Sequence, residues 1–192
     1  MGLDMYLKRA NLHGYTPEQA EAANSYFSMI RHNERHPEKQ YTSLKDWASK
    51  DDSLLEGGVI EALRSEYQPR YFHWDTEKMF PMPDVFEQVG YWRKANAIHG
   101  WFVHNVMDDV DDCENHIVSK EQLENLKADC EAVLARKTLA KKLLPVYDGF
   151  YFGSQKYDKA YYYDLQSTIE IIDKVLAETN WDVETVCYEA SW

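Results

Sequence analysis

"YWRKANAIHGWFV", residues 91–103, is the stretch on which the reading of the fold turns. Val85, Val89, Trp92, Asn96, His99 and Val103 recur at steps of three or four residues, which predicts a helix with one inward face. Asn96 and His99 lie in the middle of that otherwise apolar stripe. Burying an amide or an imidazole without partners costs about 1–3 kcal/mol, so both must pair internally, meet water or meet a ligand. Arg93 and Lys94 flank the stripe. In one reading, Asn96 and His99 bond to neighbouring backbone while Arg93 and Lys94 merely lay their stems on the surface. In the other, all four lean over a shared concavity and the helix is the wall of a binding site.

Outward from this segment the chain reads as mainly helical, with strands at its two ends. "GLDMYLKR", from Gly2, alternates Leu3, Met5 and Leu7 against Asp4, Tyr6 and Lys8, a half-buried strand pattern. "ETVCYEASW" sets Val186, Tyr188, Ala190 and Trp192 on one face by the same rule. The expectation is an α+β fold: a mainly helical single domain, residues 1–192, with a small antiparallel sheet that includes the N- and C-terminal strands. Thr16–Gln19 and Ser119–Gln122 are capping boxes that open helices. "DGFYFGS" reads as a turn, a short aromatic strand and a second turn, followed by a long helix with Tyr161, Leu165, Ile169, Ile172 and Leu176 on one side.

Composition narrows the function. With 21 basic and 33 acidic residues the net charge is −12, and no basic run is longer than a pair, so general nucleic-acid binding is not expected. Three cysteines without a CxxC pair fit a reducing compartment better than a disulfide framework. No apolar run approaches the roughly 18 residues of a membrane span, and Met1–Asp4 lacks a secretory pattern, so a cytoplasmic protein is expected. His32 and His36 superficially suggest HExxH, but the glutamate is Glu34 and Pro37 follows at once. "DDVDDCEN", residues 108–115, lacks the glycine and closing glutamate of a calcium loop. Neither a metal nor a cofactor is expected, and Cys130 on an apolar stripe is a poor nucleophile.

A second constellation is "GFYFGSQKYD", residues 149–158. Glycines bracket three aromatics, Ser154 or Asp158 can cap the following helix, and a helix start is a natural anion seat. The plainer alternative is an aromatic hairpin edge with an ordinary cap.

Taken together, "MGLDMYLKR", "VGYWRKANAIHGWFV", "DDC", "LLP…GFYFGS…YD" and the closing "SW" resemble a family of small uncharacterised phage and prophage proteins. The resemblance spans nearly the whole chain except a region of about residues 10–82. It implies an accessory protein acting in a bacterial host cytoplasm and brings no catalytic residues with it. It also gives a reason to join the two constellations: Trp92, Arg93, Lys94, Asn96 and His99 would face Phe150, Phe152, Ser154 and Tyr157. Cations, an amide, an imidazole and aromatic walls suit a small anionic, nucleotide-like ligand. The leading expectation is capture of such a ligand, as in sequestering an immune signal. The alternatives are a protein–protein inhibitor of a host or defence factor, and an enzyme acting on a phosphorylated substrate with His99 as acid or base. Whether the chain forms homo-oligomers stays open.

Overall fold

A computed structural model describes residues 2–66, 68–71, 81–149 and 151–192, with 68–71 and 81–84 described by their backbone alone. In chain order the elements are β1 (Asp4–Ala10), α1 (Pro17–Arg35), α2 (Leu44–Ala48), α3 (Val59–Leu63), β2 (Gln68–Tyr71), β3 (Pro81–Asp84), β4 (Glu87–Arg93) and α4 (Asn96–Asn105). They continue with β5 (His116–Val118), α5 (Lys120–Ala135), α6 (Ala140–Leu143), α7 (Lys159–Glu178) and β6 (Thr185–Ser191). Two compact units result, one of residues 1–9 with 88–192 and one of residues 10–87.

The first unit holds a four-stranded antiparallel sheet in the order β4-β1-β6-β5. The α+β class and the pairing of the two terminal strands are as the alternating patterns require. Leu3, Met5 and Leu7 of the first segment are fully buried, as are Cys187, Tyr188 and Ala190 of the last. The helices cover this sheet: Leu123, Leu126, Cys130 and Val133 of α5 join Leu165, Ile172 and Val175 of α7 in the same core. Each such aliphatic side chain contributes about 1.5–3 kcal/mol on burial. Both expected capping boxes are present, Thr16 with Gln19 and Ser119 with Gln122.

Residues 91–103 are not one helix. Gly90 and Trp92 are buried while Tyr91 and Arg93 are exposed, a period of two, and these residues belong to β4. The Lys94 N–H donates to the Leu3 carbonyl at 2.8 Å, carrying the pairing with β1 to the end of the strand. Lys94 itself sits at φ 61°, in the left-handed region, and ends the strand so that α4 can begin at Asn96. The stripe of Val85, Val89 and Trp92 fits either period over so short a span, and the open edge of β1 decides between them. α4 is buried all round from Asn96 to Val103, the mark of a helix at the centre of a fold.

Two further features concern the segments between helices. The described residues of "DGFYFGS" form no strand: Tyr151 and Gly153 take φ of 65° and 99°, which no ladder accommodates. His116–Val118, to which the sequence patterns assign no element, is β5 and pairs antiparallel with β6 through His116↔Tyr188, Ile117↔Cys187 and Val118↔Val186.

In the second unit, β2 and β3 form an antiparallel ribbon with Gln68 opposite Asp84. His32 and His36 share one face of α1 as their spacing requires, with ring centroids 4.5 Å apart, and His32 also lies 4.9 Å from Trp47.

Because β6 is an interior strand, its removal would expose both β1 and β5 at once. Deleting residues 185–192 is expected to abolish the cooperative thermal transition of the chain, read by far-UV circular dichroism, whereas deleting Trp192 alone leaves it in place.

Candidate functional site

Asn96, at the start of α4, is 5% exposed and all its polar atoms are engaged. Its Nδ2 donates to the carbonyls of Phe152 at 3.2 Å and Ser154 at 2.9 Å. Its Oδ1 accepts the Tyr147 N–H at 3.3 Å. One turn on, Gly100 lets the same loop cross the helix: a Cβ there would lie 2.7 Å from the Tyr147 Cβ. The helix segment and residues 147–154 therefore do meet in space, and an amide in an apolar stripe is what seats one on the other. Asn96 acts here as a positioning residue through its backbone partners.

His99 is fully buried. Its Nδ1 lies 2.7 Å from the Tyr188 hydroxyl and its Nε2 3.1 Å from Asp111 Oδ1, while the Phe152 and Tyr147 rings pack edge-on at 5.2 and 5.5 Å. Burial lowers the imidazole pKa, and Asp111 opposes that shift. With both nitrogens on protein groups, the ring has no atom left for a substrate. The acidic loop is thus a set of clasps: Asp109 pairs with His104, Asp111 with His99, and Asp112 with His116. Among the described residues, no group of three or more His, Cys, Asp and Glu side chains is arranged to hold a metal ion. No helix among them is long and apolar enough to cross a membrane.

A pocket of about 200 Å³ opens beside this junction, lined by Arg93, Lys94, Ala95 and Asn96 from the strand–helix turn. Gly153, Ser154 and Lys156 from the loop and Tyr161 and Asp164 from α7 complete it. The Lys94 turn and the loop fit closely: a Cβ on Gly153 would stand 3.0 Å from both the Cβ and the carbonyl oxygen of Lys94, and Gly153 has φ 99°. Arg93 reaches outward, with its Nε 3.9 Å from Asp4. Among the described residues, neither Lys94 nor Lys156 makes an ion pair. Asp158 caps α7, accepting the Ala160 and Tyr161 N–H groups and the Ser154 hydroxyl, and these bonds hold its carboxyl below the usual range. Asp164, six residues further along, is half-buried; burial pushes its carboxyl up to about 6, and the Asp158 charge adds to the shift.

Of the residues that the sequence proposes, Arg93, Lys94, Asn96 and Ser154 line the pocket. Trp92 instead turns into the core, where its Nε1 donates to Thr168 Oγ1 at 2.9 Å. Phe152 is 3% exposed and packs on His99 rather than lining the pocket. Tyr157 is half-buried, its hydroxyl accepting the Val146 N–H at 3.4 Å and its ring 5.0 Å from that of Tyr161. Phe150 lies outside the described residues. Sequence reasoning missed Lys156 and Asp164, which read as ordinary solvated charges, and the Asp111 and Tyr188 partners of His99. No protein-family model matches the chain, and neither does any curated protein or solved structure.

Two outcomes are expected from this geometry. Asn96→Ala leaves two carbonyls and one N–H without their partner, and is expected to lower stability by about 2–3 kcal/mol in urea unfolding. Asp164→Asn should act in the opposite direction. Its folded pKa of about 6 lies above the ordinary value near 3.9, so the native state holds the extra proton between those limits. Native stability therefore gains from this group as pH falls from 6 towards 4, and the charged form is a burden above 6. The variant is expected to be more stable than the parent at pH 7.5, with the advantage vanishing by about pH 4.

Proposed function

We propose that this chain binds a small anionic ligand, nucleotide-like in its chemistry, in the pocket between the Lys94 turn and the start of α7, and holds it without transforming it. Lys94 supports the reading most directly. It stands at φ 61°, a conformation that costs a side chain other than glycine about 1–2 kcal/mol, and it is a pocket-lining cation that makes no ion pair among the described residues. Strain of this kind persists where the surroundings over-determine it, and it clusters at ligand sites. Here the pairing of β4 with β1 on one side and Gly153 on the other supply the constraint. Lys156 and Arg93 add positive charge to the lining of the same pocket, in a chain whose net charge is −12.

The chemistry available favours capture over turnover. The imidazole best suited to proton transfer is sealed between Tyr188 and Asp111, and Cys130 is buried with its thiol pushed far up by desolvation. On the resemblance to phage proteins, the ligand would be a bacterial signal that the chain sequesters.

The test is calorimetry of the full chain with inorganic phosphate and a panel of nucleoside monophosphates and cyclic nucleotides. Lys94→Gly removes the charge and relieves the backbone at once. It is expected to raise or preserve the melting temperature while weakening anion binding about tenfold or more, the loss of one charge-assisted hydrogen bond. Failure of every anion to bind at millimolar concentration would overturn the reading.

A further inference from the structure

The pocket wall contains a carboxyl group that an anion site does not require. Asp164 lines the same space as Lys94 and Lys156, and among the described residues its side chain makes no hydrogen bond or ion pair. Asp158, six residues earlier at the cap of the same helix, shows how this fold satisfies a carboxylate when it is structural, with backbone N–H groups and the Ser154 hydroxyl gathered on it. Asp164 has none of that provision, and burial works against its charge. A half-buried carboxylate left unpaired costs stability, and perturbed groups of this sort in a cleft mark functional sites.

Among the described residues, Asp164 forms no ion pair with Lys94 or Lys156, so the cations and the carboxylate line one small cavity without being spent on each other. A ligand that carried negative charge alone would meet repulsion there. A ligand with a donor at its other end would find each of its groups matched.

We propose that the ligand carries, besides its anionic group, an amino or ammonium N–H donor that meets the Asp164 carboxylate while the anion meets Lys94 and Lys156. This deepens the anion-binding reading and rests on it. The cavity of about 200 Å³ falls below the roughly 300–1,000 Å³ of drug-sized sites, so it takes an amino acid or a single aminated base and not a dinucleotide. Those two sources share the chemistry and are separated by the test.

The experiment is calorimetry at pH 7.5 with matched pairs that differ only in the amino group, with inorganic phosphate as the plain anion. One pair is phenylalanine against 3-phenylpropanoate, and the other is adenosine 5′-monophosphate against purine riboside 5′-monophosphate. The aminated member of one pair is expected to bind about tenfold tighter than its partner, and the pair that discriminates names the source. In Asp164→Asn, whose fold is checked by its melting curve, that preference is expected to disappear. Equal binding within both pairs would overturn the inference while leaving anion binding intact, and so would a preference that survives in Asp164→Asn. Binding of none of the anions would overturn both readings together.

Discussion

One side-chain amide holds the site together. Asn96 spends both its donor hydrogens and its acceptor on the backbone of Tyr147, Phe152 and Ser154, in a loop whose described residues belong to no strand or helix. A buried loop must account for its carbonyls somewhere, and here a single residue at the head of a central helix does so. Once those bonds are made, Tyr147 lies across Gly100, Phe152 packs on His99, and Gly153 closes against Lys94. The pocket is what remains between the loop, the turn and α7.

Charge is distributed by the same economy of partners. The acidic loop after α4 looks like excess negative charge, but three of its four aspartates are committed to His99, His104 and His116. Asp158 is committed to the end of α7. Asp164, Lys94 and Lys156 stand apart from these arrangements among the described residues, and all three line the pocket.

Part of the site was legible in the sequence. An amide and an imidazole in an apolar stripe demand partners, and both Asn96 and His99 find them within the protein, but of the two only Asn96 lines the pocket. The stripe also meets the second segment, since Asn96 bonds directly to Phe152 and Ser154. The division of labour was not legible. Trp92, Phe152 and His99 carry ligand-like chemistry but turn inward, because a ring that fills core volume gains more from burial than from a half-exposed wall. Lys156 and Asp164 were missed because a charge on the outer side of a helix or in a loop has the same spacing whether it faces water or a cavity.

What the sequence determined by itself was whatever depends on local periodicity and capping chemistry. The alternation at both termini, the boxes at Thr16 and Ser119, and the stripe of the last helix all specify their structure within a few residues. The tertiary structure decided the rest. It made residues 87–93 a strand, because β1 offered unpaired backbone groups that outweighed an ambiguous pattern. It took the strand role from Tyr151–Gly153, and it gave His116–Val118 a place beside β6. Above all it chose which polar groups would be satisfied from within and which would be left facing a cavity, since hydrogen-bond partners distant in sequence leave no periodic trace along the chain.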